Sequence, residues 1–167
     1  MNTSNGSTKE QTISGPTVSE EAPILLRSDQ AGVATLTLNR PKQFNALSEA
    51  MLTALQQELD NIAANEEIRV VVIAATGKAF CAGHDLKEMR AHSGYGEQKR
   101  LFEQCSRMML TIHHLPQPVI AQVHGLATAA GCQLVAACDL AVAAENATFA
   151  TSGIRVGLFC STPSVPV

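Results

Sequence analysis

Two glycine-containing segments are the parts of this sequence best suited to form a catalytic or binding site. The first, residues 76–86, follows a run of β-branched residues and leads to Asp85, a residue type that often begins a helix. The second, residues 125–132, contains Gly125 and Gly131 among small residues. A loop between a strand and a helix leaves backbone N–H groups free to polarise a carbonyl or to hold an anion. Two such donors from separate loops predict an oxyanion hole.

Cysteine and histidine side chains offer fewer possibilities. Cysteines occur at positions 81, 105, 132, 138 and 160, and none forms a Cys-x-x-Cys pair. We therefore expect reduced, buried thiols and no metal site, including at Cys132 and Cys138. His113 and His114 fall near the end of a predicted helix, where positive charge is favourable, so we interpret them as structural. His124 precedes a glycine and is interpreted as a turn residue.

Composition limits the classes of partner. Hydrophobic residues make up 46% of the 167 residues and charged residues 16%, which favours one packed domain. A net charge of −3 and scattered basic residues argue against nucleic acid or an anionic membrane as the main partner. Residues 1–22 are polar, with neither the apolar core of a secretory signal nor arginines, and predict a disordered tail before a core at 23–167.

Hydrophobic periodicity predicts strands and helices in alternation. The expected strands cover residues 23–28, 33–39, 70–75, 119–123, 139–143 and 148–150, and the expected helices cover 48–64, 97–115 and 127–137. Ser48 is the expected N-cap of the first helix. The apolar positions that should face the core are Met51, Leu52, Leu55, Leu59 and Ile62 in the first helix, and Leu101, Cys105, Met108, Met109 and Ile112 in the second. This order predicts an α/β fold with covered parallel strands.

Five ordered blocks of sequence resemble the enoyl-CoA hydratase/isomerase family, also called the crotonase family. The blocks are residues 39–47, 78–86, 118–121, 130–134 and 138–143. Residues 125–135 and 156–163 look like a subgroup of that family, the domain-containing protein 3 subgroup. The resemblance implies a spiral of ββα units, incomplete at the C-terminus, since members of the family continue past the length of this chain.

The resemblance also implies an activity and a set of residues. Family members bind acyl-CoA thioesters and stabilise an enolate, and the matching backbone donors here are those of His84 and Ala130. Contacts to coenzyme A, which is part of the substrate and not a separate cofactor, would come from Asn45, Ala46, Leu47, Ala82, Asp85 and Leu86. The family assembles as trimers or pairs of trimers. We expect a cytoplasmic location, with the mitochondrial matrix as the alternative.

The sequence departs from the family at the two acids of its hydratases. Where the family has two glutamates, this chain has Gln133 and Gly153, and neither can exchange a proton near neutral pH. Gln133 could hold a water or a carbonyl, or merely fill a pocket wall. The His84 imidazole is an alternative acid or base, whereas Asp85 is expected to cap a helix. Cys160 or Ser161 would need a nearby base to act as a nucleophile.

Two classes of function stay open on these grounds. The first is an enzyme of acyl-CoA metabolism that moves its proton with a group other than two glutamates. The second is a non-catalytic acyl-CoA binder, or an inactive truncated product.

Overall fold

The computed structural model describes Met1, residues 22–153 and Gly157. The predicted tail therefore lies almost wholly outside the described residues, as do Cys160 and Ser161. Eight strands and four α-helices follow in chain order. They are β1 (Leu25–Gln30), β2 (Val33–Leu38), α1 (Glu49–Ala63), β3 (Val70–Ala75), β4 (Ala79–Cys81), α2 (Leu86–Ala91), α3 (Tyr95–His114), β5 (Val119–Val123), β6 (Leu126–Thr128), α4 (Ala130–Ala137), β7 (Leu140–Ala143) and β8 (Thr148–Ala150).

The strands form two sheets. The larger sheet has the order β1-β2-β3-β5-β7, in which β1 and β2 are antiparallel and every other neighbouring pair is parallel. The smaller sheet has the order β4-β6-β8 and is parallel throughout. Two strands are followed by helical structure three times along the chain, as in β1-β2-α1 and β5-β6-α4. The predicted ββα repeat is therefore confirmed, and in its second and third turns the second strand joins the smaller sheet.

The hydrophobic core follows the predicted periodicities. Ala34, Leu36 and Leu38 are fully buried on one face of β2, while the alternate residues are only partly buried. Each apolar position predicted to face inward on α1 and α3 is buried. Ser48 caps α1 through its hydroxyl, which accepts a hydrogen bond of 3.1 Å from the Met51 amide. Helix α1 packs against β1, β2 and α3, and α3 also packs against α4.

One predicted element is wrong in part. We expected a helix over 127–137, but residues 126–128 form β6 and the helix begins at Ala130. The reason is tertiary: β6 pairs with both β4 and β8, and Ala129 then takes a φ of 51°, which ends the strand. A run of small apolar residues has no hydrophobic periodicity that distinguishes a strand from a helix, so strand pairing determines the secondary structure here. In the part of the chain that the structure describes, no helix is long and apolar enough to cross a membrane.

Candidate active site

The first candidate loop runs from β4 through Gly83 and His84 to α2. Leu47 pairs with it as an isolated bridge: the Leu47 amide donates to the Gly83 carbonyl at 2.8 Å, and the Asp85 amide donates to the Leu47 carbonyl at 3.2 Å. Both peptide groups that flank His84 are thus held by one residue. The His84 N–H itself has no acceptor among the described residues. It is a free donor at a fixed point of the backbone.

The second candidate loop connects β6 to α4. The Ala129 amide donates to the Ala150 carbonyl at 2.8 Å, and the Ala129 carbonyl accepts from the amides of Cys132 and Gln133 at 3.0 and 3.1 Å. Ala130 is the first residue of α4, so its N–H has no acceptor within the helix. No other described residue accepts from it either. This is a second free donor, at the end of a helix where the backbone dipoles favour negative charge.

The two loops touch each other. Gly83 has a φ of 90°, and a β-carbon there would lie 2.9 Å from the Ala129 β-carbon and 3.2 Å from the Ala130 nitrogen. A β-carbon on Gly131 would lie only 2.2 Å from the Cys81 carbonyl oxygen. Glycine is therefore required at both positions, because no larger residue lets the backbones approach so closely. The two free donors arise on either side of this junction, and their convergence on one oxygen stays a prediction.

The residues expected to contact coenzyme A differ in accessibility. Asn45 and Leu47 are fully buried and Ala46 is 7% exposed. The Asn45 amide group donates to the carbonyls of Thr76 and Ala79, at 2.7 and 2.8 Å. The side chains of Asn45 and Leu47 are thus occupied inside the protein, which leaves only backbone atoms of this segment for a ligand. Residues 82, 85 and 86 are partly or fully accessible, and contacts from them stay predictions.

The His84 imidazole lies against α3. Its ring packs edge-on against Phe102, with 5.3 Å between ring centroids and 80° between planes. Nδ1 is buried and has no hydrogen-bond partner among the described residues. Burial lowers the pKa of the imidazole, and the nearby Leu47 carbonyl offsets this only in part. Burial thus favours the neutral form of the ring.

Gln133 lies in the first turn of α4, close in sequence to the Ala130 donor. It is 7% exposed, and its Oε1 is buried without a partner in the described part of the chain. A buried amide oxygen without a hydrogen bond is unusual and calls for a water or a ligand group beside it. Gly153 follows in a short helical turn and supplies no side chain. Neither position provides a carboxylate.

The described thiols and the other histidines have structural roles. Burial raises the pKa of Cys81, Cys105 and Cys138 to about 12, so these thiols stay protonated and unreactive at neutral pH. Within residues 22–153, no three possible ligands cluster as a metal site would require. His113 and His114 lie in the last turn of α3, as expected. His124 does more than predicted, since its Nε2 lies 2.9 Å from the Gly77 carbonyl and fastens the first loop.

Two residues of this region were not singled out from the sequence as functional. Arg40 reaches from the loop after β2 to Asp85, with 3.1 Å between Nη2 and Oδ2. Phe102 contacts His84 and lines an open surface groove of about 680 Å³ along α3. No local sequence pattern indicates the contact of Arg40, because its partner Asp85 lies 45 residues further along the chain.

Comparison with known proteins assigns the family. The family model described as Enoyl-CoA hydratase/isomerase matches residues 28–165. Enoyl-CoA hydratase domain-containing protein 3, mitochondrial, from Danio rerio is 48% identical over 148 residues, which cover 89% of this chain and 51% of that protein. Its human counterpart is 49% identical over 134 residues, covering 80% of this chain and 44% of that protein. The chain spans about half the length of the curated relatives it matches.

Solved structures agree with this assignment. The crystal structure of an enoyl-CoA hydratase from Mycobacterium smegmatis superposes with a TM-score of 0.85 and 63% identity, over 87% of this chain and 57% of that one. The human domain-containing protein 3 gives a TM-score of 0.83 and 46% identity, over 86% of this chain and 57% of that one. The fold is thus the crotonase-like spiral that the sequence predicts, and the chain belongs to the enoyl-CoA hydratase/isomerase family.

Proposed function

We propose that the chain binds an acyl-CoA thioester and holds the thioester oxygen between the amides of His84 and Ala130. The observation that carries this proposal is the pair of free N–H groups on two loops that touch at Gly83. Free donors on a rigid backbone stabilise negative charge as it develops and need no rearrangement when it does. Each such donor lowers the barrier of comparable acyl chemistry by about 3–4 kcal/mol.

The electrostatics of the site favour an enolate. Removing a proton from the carbon beside the thioester places the charge on the thioester oxygen, next to both donors. Ala130 adds the positive end of the α4 backbone dipoles to its own N–H. Since positions 133 and 153 carry no acid, another group must move the proton. The neutral His84 imidazole has the appropriate chemistry, and Gln133 can hold a water or a carbonyl by hydrogen bonds.

The rest of the ligand belongs to the same proposal. Coenzyme A enters as part of the substrate, and its contacts are expected from Ala82, Asp85 and Leu86 and from the backbone of residues 45–47. Assembly into trimers or pairs of trimers is proposed from family membership alone. The relatives from Danio rerio and human are named mitochondrial, which supports the matrix over the cytoplasm.

A second candidate is a non-catalytic acyl-CoA binder. The missing carboxylates at positions 133 and 153 favour it, because binding requires the two amides but not a proton carrier. Titration with crotonyl-CoA separates the two. Loss of absorbance at the enoyl band above background indicates an enzyme, and a calorimetric binding signal without turnover indicates the binder. A preparation that is aggregated or lacks fixed packing, with no binding, would reject both candidates and identify an inactive product.

Ala130→Pro tests the donor itself. Proline has no N–H and is tolerated at the first position of a helix, so this variant removes one donor. It also restricts the preceding residue, Ala129, which has a φ of 51° and a ψ of −124°, so the fold of the variant must be checked. We expect thioester binding and any turnover to be abolished while circular dichroism stays as in the wild type. Tyr95→Pro, at the first position of α3, is the matched control and should bind as the wild type does. Unchanged binding in folded Ala130→Pro rules out the assignment.

A further inference from the structure

Arg40 connects the two segments that flank the His84 donor. Its Nη1 donates to the Ala46 carbonyl at 3.0 Å, and its Nη2 donates to Asp85 Oδ2 at 3.1 Å. The Arg40 and Asp85 side chains are 19% and 16% exposed, so this ion pair is partly shielded from water. Shielding makes such a pair more sensitive to the loss of one partner than an exposed pair.

The Asp85 carboxylate is fixed from both sides. While Oδ2 faces Arg40, Oδ1 accepts from the amides of Lys87 and Glu88 at 3.2 and 3.3 Å and caps α2. The carboxylate cannot turn toward one partner without leaving the other. Arg40 therefore holds Asp85, the N-cap of α2. Through Asp85 it also holds the peptide group that follows His84.

The other contact of Arg40 acts on the opposite flank. Ala46, whose carbonyl Arg40 holds, directly precedes Leu47, and Leu47 bonds to the peptides on both sides of His84. The base of the same loop is anchored by Asn45, whose Oδ1 accepts from the Arg40 amide at 2.8 Å. One guanidinium thus holds both strands of the small bridge that contains His84.

We infer that Arg40 is a positioning residue that aims the His84 N–H at the thioester oxygen. The inference rests on the proposed function, because it assumes that His84 is a donor. Arg40 would act through Ala46 and Asp85, to which its guanidinium donates hydrogen bonds. Its removal frees the carboxylate of Asp85 and the carbonyl of Ala46, so the bridge can rotate while the core beneath it stays packed.

The test compares two ligands that differ at the oxygen. Hexanoyl-CoA carries the thioester carbonyl, whereas S-hexyl-CoA is a thioether without it. The ratio of the thioether Kd to the thioester Kd therefore isolates the contribution of the donors. In the wild type we expect the thioester to bind more tightly. In Arg40→Gln the ratio should fall by about fivefold or more. The thioether Kd should rise by a smaller factor than the thioester Kd, because Ala46 and Asp85, which Arg40 holds, are also expected to contact coenzyme A. A role confined to folding would change both affinities together.

Two further variants make the result decisive. Arg40→Lys retains a charge but has no planar guanidinium to bond two acceptors, so its ratio should lie between those of Arg40→Gln and the wild type. This variant also serves as the test if Arg40→Gln does not fold. Arg27→Gln removes a comparable ion pair, with Asp29 and Glu58, away from the site, and should leave the ratio unchanged. A wild-type ratio in a folded Arg40 variant overturns the inference and leaves the proposed function intact. If the wild type itself shows no preference for the thioester, the proposed function fails, and the inference fails with it.

Discussion

The two candidate donors are held in place by different kinds of interaction. The loop of His84 is held by the backbone bridge to Leu47, and polar side chains support that bridge: Asn45 donates to two carbonyls, and Arg40 pairs with Asp85. The loop of Ala130 is fixed by the backbone, through the bond from Ala129 to Ala150 and the close approach of Gly131 to Cys81. The position of the His84 donor therefore depends on hydrogen bonds, whereas the position of the Ala130 donor depends on a residue without a side chain, Gly131.

The two loops should therefore respond differently to substitution. A side-chain network can be weakened in steps, because each hydrogen bond contributes about 1 kcal/mol and conservative substitutions keep some of it. Close backbone packing has no intermediate state, because the space beside Gly131 is smaller than any β-carbon. We therefore expect graded losses on the His84 side of the site and abrupt losses on the Ala130 side.

Gly131→Ala should have the largest effect. Its β-carbon would overlap the Cys81 carbonyl oxygen, which belongs to backbone and cannot move aside. We expect the free energy of unfolding to fall by about 3 kcal/mol or more, measured by urea denaturation. Gly96→Ala is the control: nothing lies near that position in α3, so alanine should stabilise by up to about 1 kcal/mol. Equal stabilities of Gly131→Ala and the wild type would show that the contact is not tight.

Asn45→Ala should have the next largest effect, on the other loop. It removes the Asn45 donor from the partly buried Thr76 carbonyl and the buried Ala79 carbonyl and should cost about 2 kcal/mol in the free energy of unfolding. Hydrogen exchange should speed up at the Asp85 and Leu47 amides and stay slow at Ala129. Asn45→Gly separates two causes, because glycine accepts the φ of 54° at this position but restores no hydrogen bond. Equal exchange at all three amides would remove the distinction between the loops.

Asp85→Asn should have the smallest effect, and one that depends on pH. Burial alone would raise the pKa of Asp85, but hydrogen bonds from Glu88, Arg40 and Lys87 outweigh it and hold the pKa below its usual value. A carboxylate with a lowered pKa stabilises the fold above the pKa of the unfolded chain, about 4, and this is lost as pH falls through the folded pKa. The wild type should be more stable than Asp85→Asn at pH 7, and the difference should close below about pH 4. A difference that is constant from pH 7 to pH 3 contradicts this.

The sequence predicted the elements that periodicity controls. The buried faces of α1 and α3 and the alternation in β2 were predictable because their spacing is set by one element facing one core. The boundary between β6 and α4 was not, because Leu126 to Thr128 become a strand only through partners at residues 79–81 and 148–150. The predicted repeat of two strands and a helix is nevertheless correct, because it depends on the order of the elements along the chain and not on their exact boundaries.

The candidate site was predictable in position but not in its supports. Free amides between a strand and a helix can be expected from the glycines and from Asp85, which caps α2 as predicted. The roles of Arg40 and Asn45 depend on acceptors up to 45 residues away, and no local pattern predicts such contacts. Resemblance to the family assigned Asn45 to coenzyme A, and that contact stays a prediction; the side-chain amide of Asn45 donates to two carbonyls of the protein.

The proposed oxyanion hole depends most directly on where a bound thioester oxygen lies. A crystal structure of the full chain with an acyl-CoA should place this oxygen about 2.7–3.1 Å from both the His84 nitrogen and the Ala130 nitrogen. An oxygen within that range of only one nitrogen, or of neither, would contradict the shared oxyanion hole.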